Sequence, residues 1–433
     1  MAKEKPRQIA VSVLKQHASR GGFIETLLEK HTANAALSPA DRALLQELTF
    51  GVVRWESTLD WLIARKTKGR TQKVTLQILL RLGLYQLFWL QRIPDHAAVH
   101  ETVELARQSG FGPQSGFINA VLRSFIRERE QTVKLLDELK QTDPARGYSH
   151  PEWLVNRWRA RWGEDKVRQL LEWNNAPPPT YGRVNTLRTN AEALVARWRA
   201  EGVNATDRSF DWAADGMIYK LESLPPLANL ASFQEGLFYI QDPSTVLSVT
   251  TLNPQPGQHV LDLCAAPGGK TTLMAQFMSN RGRIVAQDLD PARRDLIRDN
   301  CLRLGVTCVA IESLDAKPSS PDEEFDHILV DAPCSNTGVT RRRIDLRWRI
   351  NEDEIARLAR TQLGLLRSAA LQLKPGGTLV YSTCSLEPEE NEQVVRAFVE
   401  EHPTFDINFE RTLLPFTDAV DGAYVARLIK RRR

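Results

Sequence analysis

The 433-residue sequence lacks any long, clean apolar run. Its longest apolar stretch, VTLQILLRLGLYQLFWL from Val74 to Leu90, is interrupted by Gln77, Arg81 and Gln86. A bilayer span needs about 20 apolar residues, so this stretch reads as a buried helix. No apolar core follows Lys3 and Lys5, and no secretory leader is expected. Cysteine is scarce: five residues, Cys264, Cys301, Cys308, Cys334 and Cys384, an odd number without metal-ligand spacing. That argues against a disulfide framework and fits free thiols in a cytoplasmic protein. His96 and His100 lie one helical turn apart, but no third ligand stands near them, so no metal site is expected.

What is present is ordinary globular composition, 42% hydrophobic and 25% charged, on a chain long enough for two or three domains. Charge is uneven. Residues 1–140 hold 21 Lys and Arg against 14 Asp and Glu, while the remainder holds 36 against 39. A basic N-terminal module on a near-neutral body suits a polyanionic partner, most simply nucleic acid. A merely solvated basic surface is the plainer alternative.

Residues 1–140 read as all-helical. Ser38-Pro-Ala-Asp41 is a capping box with Pro at the first helical position. Asp95 is expected to cap the helix AAVHETVELARQ, and SGFINAVLRSFIRER reads as a basic amphipathic helix. Residues 141–232 form a small α+β connector: the breaker NNAPPPTYG, a strand at RVNTL, a helix at NAEALVARWRAEG and a strand at MIYKLES. In RWRARWG, Arg157 to Gly163, core tryptophans with solvated arginines are favoured over an RNA-stacking surface.

From 233 to 433 strands and helices alternate: HVLDLC, RIVAQDLD, TCVAIES, DHILVDAP, GGTLVYSTCS and a final YVARLIK. That pattern predicts a mostly parallel, doubly wound sheet, whose ligands lie at the carboxyl ends of the strands. The loop from Cys264, Asp288, Asp315, Cys334 and Cys384 all fall there.

CAAPGGKTT mimics the phosphate loop G-x-x-x-x-G-K-[ST], with Cys264 in place of the first glycine, and Asp331 ends an apolar strand like a magnesium-holding acid. An ATPase is therefore a rival reading, although a Cβ at the first position works against the tight turn. Asp288 ends the second strand nineteen residues after Gly269, where an acid meets the ribose diol of an adenosine cofactor. Nicotinamide cofactors and S-adenosylmethionine both remain. The missing pyrophosphate turn favours the methyl donor.

A thiol is needed by few methyl acceptors. Carbon 5 of a pyrimidine is a poor nucleophile, but thiolate addition to carbon 6 makes the ring an enamine that attacks the methyl group. A base must then remove the carbon-5 proton so that the thiolate can leave. Cys384 is the better nucleophile candidate, because a helix start near Pro388 would favour its thiolate. Cys334, on the turn beside Asp331, would assist release, while Cys301 and Cys308 are assigned to packing.

LDLCAAPGGKT, VDAPCSNTG and YSTCSLEPEEN, in this order, resemble the signature motifs of RNA cytosine-5 methyltransferases of the Nop/Sun family. IPDHAAVHETVELA and GFINAVLRSF resemble a NusB-like RNA-binding domain, and RVNTLRTN resembles the connector before the catalytic domain. The resemblance implies an all-α NusB-like domain, an α+β connector and a Rossmann-like class I methyltransferase domain. It implies Cys384 as covalent nucleophile, Cys334 in product release, and Asp331 beside the base, with Lys270 near it. Cofactor-site positions would be Cys264, Ala265, Ala266, Pro267, Gly268, Gly269, Lys270, Asp288, Asp315 and Asp331. The implied substrate is a cytidine in 16S ribosomal RNA, modified by a monomer, with transfer RNA as an alternative. A vestigial RNA-binding assembly factor is a further rival. After VDAPCSNTG the family has Arg-Arg-His-Pro-Asp where this chain has RRRID; Arg341, Arg342 and Arg343 are expected to contact RNA phosphates.

Overall fold

The computed structural model describes residues 5–33, 35–315 and 324–432. The chain divides into two compact units, one comprising residues 1–176 and 343–349, the other 177–342 and 350–433.

The first unit is helical. Helix Pro39–Arg54 begins as its sequence predicts: the Ser38 hydroxyl oxygen accepts from Asp41 N at 3.1 Å, with Pro39 at the first position. Val74–Phe88 is the central helix, and Leu79, Leu80 and Leu84 have no exposed surface. The long apolar run is thus core. The helix over 95–108 starts at Asp95 itself, with Pro94 as the capping position, and Asp95 pairs instead with Arg129. The connector boundary set at 140 falls inside a continuous helix, Arg129–Thr142, and helices Glu152–Trp162 and Glu164–Asn175 belong to this unit. Trp158 is buried there against His150, whereas Arg161 stacks on Trp162. His96 and His100 are exposed, and no cluster of metal-ligating side chains occurs among the described residues. No described helix is long and apolar enough to cross a membrane.

Residues 343–349 complete this unit. Ile344 joins its hydrophobic core, and Asp345 accepts from Ile24 N at 3.2 Å. The Arg347 guanidinium, 1% exposed, donates to the carbonyls of Ser149 and Asn174 and to Asn175 Oδ1 at 2.9 Å. Nothing in the sequence marks this segment as part of a helical core.

The second unit holds two sheets. Strands β1 (Thr180–Val184), β2 (Asn204–Asp207), β3 (Ile218–Glu222) and β4 (Phe238–Ile240) form an antiparallel sheet in the order β2-β3-β1-β4. Trp198, on helix Ala191–Ala200, is buried among Tyr219 and Phe238. The larger sheet comprises β5 (His259–Leu263), β6 (Arg283–Asp288), β7 (Val309–Ser313), β8 (Phe325–Asp331), β9 (Leu373–Thr383), β10 (Phe405–Leu413) and β11 (Ala423–Lys430). Its order is β10-β11-β9-β8-β5-β6-β7; five neighbouring strands run parallel, and β10 and β11 run antiparallel at one end. Val260 and Ile284 face one hydrophobic cluster while their neighbours Leu261 and Val285 face another. Strands covered on both faces read as continuous apolar runs, which is why the parallel core was legible in the sequence.

Candidate active site

The loop after β5 makes a sharp turn. Cys264 adopts φ +62°, the left-handed conformation for which a glycine is the usual choice, so a Cβ is accommodated there after all. Ala265 N donates to Gln287 O at 2.9 Å, and Ala266 N donates to Asp288 Oδ2 at 3.2 Å. Helix Gly269–Phe277 follows. Asp288, 2% exposed at the end of β6, also accepts from Asp290 N and faces Arg293 at 3.5 Å. Arg293 and Asn300 donate to the carbonyls of Ala266 and Pro267, so helix Pro291–Leu304 holds the loop from the other side. Asp315 is exposed just beyond β7, its carboxylate taken by the Ser313 hydroxyl.

Acid dominates the strand ends. Burial pushes Asp262 up to about 7, and Asp331 and Asp288 add to the effect. Burial, then the carboxylates of Asp331, Asp288 and Asp262, push the Cys264 thiol up to about 12, so it stays protonated. Lys270 Nζ donates to Asp331 Oδ2 at 2.6 Å, and Ser382 Oγ donates to Asp331 Oδ1 at 2.8 Å. Burial works against the Lys270 charge, but the Asp331 carboxylate outweighs it and holds the ammonium above its ordinary pKa.

Parallel pairing of β8 with β9, with Asp331 opposite Ser382, brings the two cysteine-bearing loops side by side. Cys334 Sγ and Cys384 Sγ lie 3.3 Å apart. Cys384 Sγ donates to Asn336 Oδ1 at 3.1 Å, while Asn336 Nδ2 donates to Cys334 O at 2.6 Å from a backbone of φ +58°. The Cys334 thiol is held well above its ordinary pKa, first by its contact with Cys384 and then by burial. Gly338 N donates to Cys384 O at 2.9 Å, and a Cβ at Gly338 would lie 2.5 Å from Gly422 O, so only glycine permits this approach.

A buried carboxylate ties the loops together. Glu390 has no exposed surface; it accepts from Ser335 N at 2.8 Å, Ser385 Oγ at 2.5 Å, Gln362 Nε2 at 3.1 Å and the Ser335 hydroxyl. Ser335 follows one cysteine and Ser385 the other. The helix expected near Pro388 begins only at Glu392, eight residues past Cys384, so its N-terminus is not what faces the thiol. The charge coupled to Cys384 is that of Lys270.

Three family models match this chain. The model for 16S rRNA methyltransferase RsmB/F covers residues 249–429, the NusB family covers 4–127, and the RsmF/B-like ferredoxin-like domain covers 150–218. The probable ribosomal RNA small subunit methyltransferase B of Bacillus subtilis is 37% identical over 95% of this chain and 92% of its own length. The Escherichia coli ribosomal RNA small subunit methyltransferase B is 38% identical over 98% of both. The chain belongs to the RsmB/F family of 16S rRNA methyltransferases. Among solved structures, PH0851 matches with a TM-score of 0.78 at 25% identity over 99% of both chains. A methyltransferase homolog from Pyrococcus horikoshii matches with 0.56 at 31% identity, over 69% of this chain and 99% of its own.

As a member of this family the chain is a methyltransferase with a NusB domain, a ferredoxin-like connector and a C-terminal methyltransferase domain. The structure brings Lys270, Asp331, Cys334 and Cys384 into one cluster and sets Asp288 against the Cys264 loop; Asp315 is exposed beyond the end of β7, with its Ser313 partner opposite Asp288. It corrects two of the three arginines. Arg341 is 2% exposed and pairs with Asp421 at 2.5 Å and with Asp242 at 3.5 Å. Arg342 Nε bonds Asp421 at 2.5 Å and its Nη2 bonds Asp242 at 2.9 Å. Arg341 is spent inside the fold and the half-buried Arg342 is tied to the same acids; both oppose the burial that pushes Asp421 up to about 6. Of the three, only Arg343 is an exposed residue. Asn336 and Glu390 were missed: the bonds by which they join the two cysteine loops, Cys384 to Asn336 and Ser335 to Glu390, span 48 and 55 residues, and no local signal announces them.

Proposed function

We propose that this enzyme transfers a methyl group from S-adenosylmethionine to carbon 5 of a cytosine in 16S ribosomal RNA, through a covalent bond from Cys384 to carbon 6. The observation that carries the reading is the pair of thiols 3.3 Å apart beside the Lys270–Asp331 ion pair. Nitrogen and oxygen acceptors have lone pairs and no use for two thiols.

The residues at the strand ends fit a cationic donor. Asp262, Asp288 and Asp331 converge there, Lys270 is committed to Asp331, and Arg293 faces Asp288. A triphosphate would meet this acidic surface, and Lys270, which a phosphate loop would use, is already committed to Asp331; that weighs against the ATPase. Asp288 and the backbone of 264–268 would hold the donor's adenosine portion, which supplies, when bound, an electrophilic methyl group.

The target base leaves its stack to enter the site. Asp331 and Lys270 grip its polar edge. Cys384 loses its proton beside the Lys270 ammonium and adds to carbon 6. Its sulfur then becomes a neutral thioether, which removes the foremost cause of the raised Cys334 pKa. Cys334 then passes its own proton to water, its thiolate takes the proton from carbon 5 as a base, and the carbon 6–sulfur bond breaks to free Cys384 as the thiolate.

The basic N-terminal module and the exposed Arg343 supply the RNA contacts of a cytoplasmic monomer. We retain residues 1–140 as the RNA-binding module and assign Asp315 to the rim of the donor site. Methylation of small-subunit RNA by the purified protein, followed by nuclease digestion and mass spectrometry, tests the reading. It requires 5-methylcytosine as product; methyl transfer to any nitrogen or oxygen, or to transfer RNA alone, overturns it. Cys384→Ala abolishes turnover on this reading, and Cys334→Ala accumulates a protein–RNA adduct.

A further inference from the structure

The methylation chemistry uses the two thiols in succession, yet the fold holds their sulfurs 3.3 Å apart. We infer that Cys334 and Cys384 are also a reversible oxidation site that closes to an intramolecular disulfide when peroxide reaches the empty site.

The geometry is already assembled. A disulfide needs its sulfurs about 2 Å apart, so the 3.3 Å separation must close by only about 1 Å. Both sulfurs sit on loops that follow adjacent parallel strands, and the Glu390 bridge between Ser335 and Ser385 keeps those loops together. Cys384 is the more accessible of the two, and Cys334 is 8% exposed behind it. That is the arrangement of an attacking thiol with a resolving partner.

The steps balance with hydrogen peroxide as oxidant. The Cys384 thiolate attacks one peroxide oxygen, the O–O bond breaks, and the sulfur becomes a sulfenic acid while hydroxide leaves. That hydroxide recovers the thiol proton as water. The Cys334 sulfur then attacks the sulfenic sulfur, the S–O bond breaks, and a second water leaves with the Cys334 proton. Two thiols and one peroxide give one disulfide and two waters. A dithiol reductant reverses the product by exchange. With the pair joined, neither sulfur can add to a pyrimidine. Conversely, an enzyme unable to form the disulfide would carry Cys384 irreversibly to sulfinic acid. The neighbour at 3.3 Å therefore protects the nucleophile as well as inactivating it for a time.

The test treats the full purified chain with hydrogen peroxide, alkylates the remaining thiols after denaturation, and maps the peptides by mass spectrometry. The wild type is expected to lose two hydrogen atoms, to keep three of its five cysteines alkylatable, and to yield one crosslinked peptide pair containing Cys334 and Cys384. Dithiothreitol restores all five thiols and the lost turnover. In Cys334→Ser, whose folding is checked by its thermal melt, Cys384 goes to sulfinic acid and is not restored. Five free thiols after peroxide would overturn the inference. So would a disulfide involving Cys264, Cys301 or Cys308, or sulfinic acid at Cys384 in the wild type as fast as in Cys334→Ser. The mass measurement needs neither RNA nor methyl donor, so its failure leaves the methylation reading standing, and the reverse also holds.

Discussion

Glu390 is the side chain whose loss should reveal how the two cysteine loops are held. Four donors converge on its carboxylate: Ser335 N, the Ser335 hydroxyl, Ser385 Oγ and Gln362 Nε2. In Glu390→Ala the two hydroxyls can re-pair, being 3.0 Å apart, and Gln362 keeps its bond to Pro333 O at 2.9 Å. Ser335 N–H is left without a partner, at about 1–3 kcal/mol, and the removed carboxyl leaves a cavity worth about 1 kcal/mol more. The wild-type carboxylate also bears a burial cost that raises its own pKa, which offsets part of the loss. A net destabilisation of about 2 kcal/mol follows. Glu390→Gln separates geometry from charge. Its carboxamide oxygen can accept from Ser335 N and Gln362, while its NH2 donates to two serine oxygens, so it should fall within about 1 kcal/mol of wild type. Thermal melts give the stability, and capture of both thiols by phenylarsine oxide, which needs two adjacent sulfurs, gives the loop spacing. Glu390→Ala should melt lower and bind the arsenical more weakly, with Glu390→Gln close to wild type in both. Equal melts and equal capture in all three proteins would refute the bridging role.

Four further outcomes are expected. Asp262 keeps its proton in the folded protein up to about pH 7, against an ordinary 3.8, so its stabilising contribution is complete below about pH 4. It is lost as pH rises to about 7, amounting to about 4 kcal/mol; Asp262→Asn should therefore melt higher than wild type at pH 8, by a margin that shrinks towards pH 5, and a pH-independent difference would contradict this. Arg341→Ala strips Asp421 of one partner and should cost about 3 kcal/mol in the thermal melt, without flattening the salt dependence of RNA binding. Arg343→Gln should reduce that salt slope by about 1 and shift the melt less than Arg341→Ala does, and the opposite pattern would restore Arg341 to the RNA surface. Asp288→Ala should weaken S-adenosylmethionine binding at least about tenfold in calorimetry, or 1.4 kcal/mol, and tight ATP binding by the wild type would bring back the nucleotide-hydrolase reading.

The parallel core and its chemistry were legible because both obey local rules. Apolar strands such as HILVD end in polar residues at the sheet's carboxyl edge, so Asp288, Asp331, Cys334 and Cys384 could be placed at one end before any contact was known. Strand β10 was missed although Phe405, Ile407 and Phe409 alternate with Asp406, Asn408 and Glu410; it is an edge strand with Asp406, Ile407 and Asn408 all exposed, so its alternation does not mark a buried face. The arginines misled for a different reason. Three consecutive basic residues suggest a solvated patch, whereas the acids that hold Arg341 and Arg342 lie 79 to 100 residues away at Asp421 and Asp242. Ile344 to Trp348 show the same limit. Their burial in the helical unit depends on partners such as Ile24, Val53 and Asn174, which no spacing rule connects to them.

The covalent step is tested most directly with small-subunit RNA carrying 5-fluorocytidine at the target. Fluorine at carbon 5 cannot be removed as a proton, so Cys384 cannot leave after methyl transfer. In the presence of S-adenosylmethionine the protein should become crosslinked to this RNA, and peptide mapping should find the nucleotide on Cys384 Sγ. An adduct on Cys334, or methylated RNA released with no adduct at all, would contradict the assignment of Cys384 as nucleophile.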